Sequence, residues 1–253
     1  MTLREDKLSP ALLARLRYLP TTTSTMDVAA RWAKDGAPHL AVVMAGEQTA
    51  ARGRMGRVWQ MFPGHSFAAT FIATRHTGPH LPLVVGVALL RALCKLTPPA
   101  TGLVLKWPND VLLNGKKLAG ILIEQVTGPN PVALIGIGLN LTRSPAMLES
   151  FPGIPLADVC AAPGREEMLV ALSACLKDVL ALYEESGWSA LADEYVQNCC
   201  TIGQTVRWQK DAGTVLEGRA SGLTPEGALV VVDDAGEVHH IHSGDVIAQG
   251  HTH

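Results

Sequence analysis

The chain has 253 residues, 47% of them hydrophobic and 17% charged, with a formal net charge of −2. This balance excludes a disordered chain and leaves room for one or two domains with ample core. Near-neutrality also excludes a global field drawing in nucleic acid, so a basic cluster here is a local feature suited to a small anionic ligand.

In chain order, Ser9 and Pro10 predict an N-cap and first position of a short helix ending near Leu16. Leu19–Thr23 leads into Ser24, which with Asp27 resembles a capping box carrying aspartate in place of the usual glutamate. The following helix turns Val28, Ala29 and Trp32 inward and stops at Gly36. His39–Gly46 predicts a buried strand and Ser66–Thr74 another, with an arginine-rich loop between them. Gly78-Pro79 breaks the chain before an apolar helix, Leu81–Leu96. Leu103–Trp107 predicts a strand ending at Pro108. Val111–Leu113, Asn114-Gly115 and Lys116–Gln125 predict a hairpin, because Asn-Gly suits a type I′ turn. Val132–Leu141 is a further strand. Residues 142–164, with Pro145, Pro152, Pro155 and Pro163, predict an irregular loop before two helices, Glu166–Glu185 and Trp188–Asn198.

Composition changes near Cys200. Short strands at Thr205–Gln209, Thr214–Gly222, Ala228–Val232, Val238–His242 and Asp245–Ala248 are separated by turns at Asp211-Ala212-Gly213, Pro225-Glu226-Gly227 and Asp234-Ala235-Gly236. This spacing predicts a small barrel. The expected division is a domain over residues 1–198 and a β domain over 199–253. Five cysteines (Cys94, Cys160, Cys175, Cys199, Cys200) form no CxxC pair, which predicts free thiols in a reducing compartment. MTLREDKLSP lacks an apolar signal core, and the apolar stretch Leu81–Leu93 is interrupted by Gly86 and Arg91, so a cytoplasmic protein without a membrane span is expected.

Four segments carry chemistry. Gln48–Trp59 (QTAARGRMGRVW) places Arg52, Arg54 and Arg57 among glycines. Forked cationic donors on a backbone free to approach a ligand suit a lid over an anion; the alternative is a solvated turn. Lys106-Trp107-Pro108-Asn109-Asp110 puts a carboxylate after a strand, suited to holding Mg²⁺ beside phosphates, or only an Asx turn opening the hairpin. Lys116–Leu122 sets Lys117 against small and apolar neighbours, as a pocket lysine or a solvated one. Gly136-Ile137-Gly138-Leu139-Asn140 alternates glycine along a strand, for close approach of a ligand or for tight packing; it is not a dinucleotide fingerprint.

Together, and in this order from about residue 18 to 248, these segments resemble the biotin protein ligases, also called biotin–[acetyl-CoA-carboxylase] ligases. Ser24-Thr25, Gln48-Thr49, Arg52–Arg54, Gly56-Arg57, Trp59, KWPND, KLAGIL and GIGLN carry the resemblance. It implies an α/β fold, a mixed-sheet ligase domain followed by a small SH3-like β-barrel. It implies that ATP activates biotin to biotinyl-5′-adenylate, which a lysine of a biotin carboxyl carrier protein then attacks. By the same resemblance, Ser24, Thr25, Met26, Gln48, Arg52, Gly53, Arg54 and Lys117 bind biotin, and Arg52, Arg54 and Lys117 act in catalysis. Trp107, Asn109, Asn140 and Arg57 lie around the nucleotide and Asp110 holds Mg²⁺. Neutralising two reacting anions needs such cations, and a closed loop keeps water from a labile anhydride.

Met26 stands where the family usually has asparagine, and Ala51 where it often has glycine; methionine offers no strong hydrogen bond. About twenty residues precede Ser24, too few for the helix-turn-helix domain of repressor relatives, so a form that does not bind DNA is expected. The family includes monomers and dimers, and a homodimer is compatible with the resemblance. The competing readings are a lipoate or octanoate transferase, whose RRxxGGG-type pattern is missing here, a non-catalytic biotin-binding regulator, and a nucleic-acid-binding module, which low aromatic content opposes. His239-His240-Ile241-His242, with His251 and His253, lacks an evident carboxylate or cysteine partner at metal-ligand spacing and is expected to be a solvated edge cluster.

Overall fold

The computed structural model describes residues 3–76, 78–99, 101–128, 131–147, 151–209, 214–244 and 246–248. Among them, seven strands build one sheet: β1 (Leu16–Thr22), β2 (Ala41–Gln48), β3 (Ser66–Ala73), β4 (Leu103–Lys106), β5 (Asp110–Leu113), β6 (Lys116–Val126) and β7 (Val132–Asn140). Their order is β1-β2-β3-β7-β6-β5-β4. β1 and β2 are parallel and every other pair is antiparallel. The helices are α1 (Pro10–Leu13), α2 (Thr25–Lys34), α3 (Leu81–Leu96), α4 (Arg165–Ser186) and α5 (Ser189–Asn198).

The unbroken apolar runs of β2 and β3 follow from burial on both faces. Alternate side chains point to opposite sides of a strand. Val42 and Met44, with Phe67, Ala69, Phe71, Ala133, Ile135, Ile137 and Leu139, join α3, α4 and α5 in the main core. Ala41, Val43, Ile72, Val132 and Leu134 face the other way, onto Met26 and Ala29 of α2. The result is three layers with the sheet in the middle.

Local signals fixed most boundaries. Ser24 accepts from the Met26 amide and caps α2, and Gly36 (φ 83°) ends it. Asn114 (φ 49°) and Gly115 (φ 77°) take the left-handed conformations of the expected hairpin turn. Two expectations fail. The first helix stops at Leu13 rather than Leu16, and Leu16–Thr22 is a strand. Pairing with β2 overrides a helix of barely one turn, and Pro20 is tolerated because β1 is an edge strand. Asp27 closes no capping box; its carboxylate is bonded to Arg52 instead.

Five strands form the second sheet: β8 (Thr205–Gln209), β9 (Val215–Leu223), β10 (Leu229–Asp233), β11 (Val238–Ile241) and β12 (Val246–Ala248), in the order β11-β10-β9-β8-β12 and antiparallel throughout. This is the all-β unit that the short, evenly spaced strands predict. The turn at Asp211-Ala212-Gly213, Asp245, His251 and His253 lie outside the described residues.

This sheet is pinned to the larger one and to the start of α3 by polar contacts, those of Trp107 buried. The Trp107 indole N–H donates to the Gly227 carbonyl at 3.1 Å, and the Trp107 amide donates to Thr201 Oγ1 at 3.0 Å. His80 Nε2 meets the Pro225 carbonyl at 3.0 Å, and the Cys200 amide donates to the Leu105 carbonyl at 2.9 Å. Side chains of both sheets share the main core.

Candidate active site

Beyond the half of the sheet covered by α2, the same face is stripped of side chains. Gly120 on β6 is paired with Gly138 on β7, and Gly136 lies two residues earlier. A Cβ on Gly138 would stand 2.5 Å from the Trp59 indole, and one on Gly120 would stand 3.2 Å from it. The two glycines therefore let Trp59 lie flat on the strands. Gly136 serves Met26 likewise: a Cβ there would stand 2.8 Å from Met26 Sδ. The alternating glycines are first of all packing sites for the protein's own side chains, and these side chains shape the cavities.

Two cavities open here. The smaller, about 140 Å³, is lined by Ser24, Thr25 and Met26 at the start of α2, by Gln48, Arg52 and Arg54, and by Gly136–Gly138. The larger, about 300 Å³, is lined by Lys106–Asp110, Lys116, Asn140, Phe151–Gly153 and, from the second sheet, Gly244 and Val246. Arg57, Val58, Trp59, Asn109, Asp110 and Lys117 line both. Among the described lining residues, six side chains are cationic (Arg52, Arg54, Arg57, Lys106, Lys116, Lys117) and Asp110 is the sole carboxylate. A concentrated positive charge on a chain of net charge −2 marks a site for a small anion.

Several of these groups are already fixed by one another. Gln48 Oε1 accepts from the Thr25 amide (2.7 Å) and from Thr25 Oγ1 (3.0 Å), and Thr70 Oγ1 donates to Thr25 Oγ1 at 2.8 Å. Asn109 spends its amide on the scaffold: Nδ2 donates to the Ile121 carbonyl and Oδ1 accepts from Arg54 Nη1, both at 2.8 Å. Lys117 Nζ pairs with Asp110 Oδ1 at 2.7 Å. Burial pulls the pKa of Arg54 and of Lys106 down, and Asp110 opposes the shift in both. Three buried polar atoms on the walls have no hydrogen-bond partner among the described residues: Trp59 Nε1, Asn140 Oδ1 and Asp110 Oδ1, the last within ion-pair distance of Lys117. Unpaired buried donors and acceptors are costly, so their presence at a cavity points to a ligand that satisfies them.

All the sequence-predicted site residues line one cavity or the other, and Arg52 and Trp107 spend their side-chain donors on partners within the protein. Arg52 turns its guanidinium to Asp27 (2.7 Å) rather than into the cavity. Trp107, 2% exposed, has no free indole N–H, because Gly227 takes it. Met26, 4% exposed, belongs to the apolar cluster under α2, which accounts for a residue without polar function at that position. Sequence reading missed Phe151–Gly153, which the proline-rich loop brings over Lys117 (Ile154 amide to Lys117 carbonyl, 2.9 Å), and it missed the second sheet's share of the wall. No local signal announces either.

His240 and His242 are exposed, as a solvated cluster requires. His239, contrary to expectation, does have a carboxylate partner: Asp233 Oδ2 at 2.9 Å across the β10–β11 turn. Asp233 Oδ1 also accepts from the Ala235 and Glu237 amides, so this group fastens a hairpin.

Residues 18–141 match the Biotin/lipoate A/B protein ligase family, and residues 201–248 match the Biotin protein ligase C terminal domain. The chain is 35% identical to a biotin–[acetyl-CoA-carboxylase] ligase of Paracoccus denitrificans over 230 residues, covering 86% of this chain and 94% of that protein. A ligase of the same name from Mycobacterium tuberculosis is 33% identical over 236 residues, 90% of this chain and 86% of that protein. Among solved structures, the biotin protein ligase of Aquifex aeolicus in complex with biotin and ATP has the same fold, with a TM-score of 0.79 at 24% identity over 92% of this chain and 97% of that one.

Proposed function

This chain belongs to the biotin protein ligase family, and on that premise we propose that its two cavities hold biotin and the nucleotide on either side of the bond being made. The activity is ATP-dependent biotin–protein ligation. Biotin occupies the smaller cavity and ATP the larger. The observation that carries this assignment is the shared wall, where Lys117, Asp110, Asn109, Arg57 and Trp59 border both cavities. A carboxylate at the mouth of one then meets the α-phosphorus at the mouth of the other.

In the first step a biotin carboxylate oxygen forms a bond to the α-phosphorus and the bond to pyrophosphate breaks, giving biotinyl-5′-adenylate. Both reactants are anions, so the barrier is largely electrostatic. Lys117 and Arg54, held in place by Asp110 and Asn109, offset the charge without reorganising. In the second step the amine of a carrier-protein lysine attacks the acyl carbon and AMP leaves. Asn140 supplies a buried acceptor for the nucleotide, while Trp107 serves as wall rather than donor.

A lone carboxylate beside a phosphate cavity fits Mg²⁺, which takes one or two carboxylates and keeps waters and phosphate oxygens as its other ligands. Asp110 would hold it, and the ion would supply further charge neutralisation at the phosphates. A biotin carboxyl carrier protein is the acceptor in this reading, and the cytoplasm is its place of action. Among the described residues no helix is long and apolar enough to cross a membrane.

Biotin-dependent exchange of pyrophosphate into ATP, followed by transfer to a biotin carrier domain, tests the reading. Folded protein with Mg²⁺ is expected to do both; failure of both refutes it.

A further inference from the structure

Arg52 sits at the base of the basic loop, where it bridges Val58 while Gly53 donates to the Arg57 carbonyl (2.7 Å) and Trp59 donates to the Ala51 carbonyl (3.0 Å). The loop is thus a small closed unit, and what fastens its base fastens all of it. Arg52 Nη2 and Nη1 donate to Asp27 Oδ1 and Oδ2 at 2.7 and 3.2 Å, in the forked geometry that aligns a guanidinium with a carboxylate. Glu124 Oε1 stands 3.9 Å from Nη2. Asp27 belongs to α2 and Glu124 to β6, two of the elements that line the smaller cavity.

We infer that Asp27 is a positioning residue, which through Arg52 latches the basic loop shut over the smaller cavity and thereby retains the acyl-adenylate until an acceptor amine arrives. This rests on the ligase reading. Each partner's protonation equilibrium reflects the pairing: Arg52 holds the Asp27 carboxyl below its usual range, and Asp27 raises Arg52. The pair is about two-fifths exposed on both sides, 39% and 37%. Exposed pairs of this kind are weak and screened by salt, so the latch shifts the open population only roughly two- to fivefold. That strength suits a loop that must open in every turnover.

The test loads the enzyme with ATP and labelled biotin, removes excess substrate and follows escape of label to a soluble primary amine. Asp27→Asn keeps the shape of the side chain and its place near the start of α2 but removes the charge. It is expected to speed escape roughly two- to fivefold. Raising salt from about 0.05 to about 0.5 M should speed escape from the natural enzyme and leave the variant nearly unchanged. Asp27→Glu should restore the natural rate in part, and Asp27→Asn with Arg52→Gln should be no faster than either change alone. Loss of helix stability alone would lower the melting temperature without altering the salt dependence. Escape at the natural rate with the natural salt response in Asp27→Asn overturns the latch, as do additive effects in the double variant. If the natural enzyme forms no adenylate, the ligase reading falls and takes the latch with it.

Discussion

Substituting Gly138 by alanine tests whether the glycines exist to seat Trp59. The added Cβ would lie 2.5 Å from Trp59 Cε2, 2.7 Å from Nε1 and 2.8 Å from Cζ2. Carbon contacts settle at about 3.5–4 Å, so the indole must retreat by roughly 1 Å. It is a rigid ring, so the whole ring moves, and with it a wall common to both cavities. Overpacking of this kind costs about 1–3 kcal/mol. If the cost falls on the binding-competent arrangement, biotin affinity drops roughly five- to 150-fold. Gly136→Ala is the control. Its nearest contact is Met26 Sδ at 2.8 Å, on a flexible thioether that can rotate away, and the next is the Leu122 carbonyl at 3.4 Å. Calorimetric titration of biotin and ATP into both variants, with melting temperatures, should rank Gly138→Ala as clearly the more damaging for both ligands. Natural affinities in Gly138→Ala, or a larger loss in Gly136→Ala, would refute the reasoning.

Lys117→Ala removes the cation bordering both cavities and should lower pyrophosphate exchange by about 100-fold or more while the fold persists; exchange at the natural rate would remove Lys117 from the reaction. Trp107→Phe leaves the buried Gly227 carbonyl without its donor, costs about 1–3 kcal/mol in denaturant unfolding, and should raise KM for ATP more than KM for biotin. Equal rises would show a general loosening. His39 and His76 both have their pKa lowered chiefly by burial, from an ordinary 6.5. The unfolded chain therefore takes up their protons first as pH falls. Stability should be flat above about pH 6.5 and decline below it, and the decline should be shallower in His76→Gln. A melting temperature unchanged down to pH 5 would contradict this.

Sequence alone determined those features whose causes lie within a few residues of one another. The Ser24 cap, the Asn114-Gly115 turn, the Gly78-Pro79 break before α3 and the short spaced strands of the second sheet are all local matters of dihedral preference and capping, and the residues themselves carry the signal. The order of the four basic and glycine-bearing segments likewise identified the family and the residues that line the site. Where the causes are distant, the sequence was silent or misleading. Leu16–Thr22 became a strand only because β2 lay beside it. Gly120 and Gly138 meet through the register of β6 on β7, and only then does Trp59 find a bare surface. Arg52 reads as a ligand group, but α2 sets Asp27 within 2.7 Å of it. Phe151–Gly153, Gly244 and Val246 join the cavity wall through packing between segments far apart in the chain. Residue type fixes what a side chain is able to bind, whereas which partner it meets depends on the register and packing of remote strands, and that was decided by the tertiary structure alone.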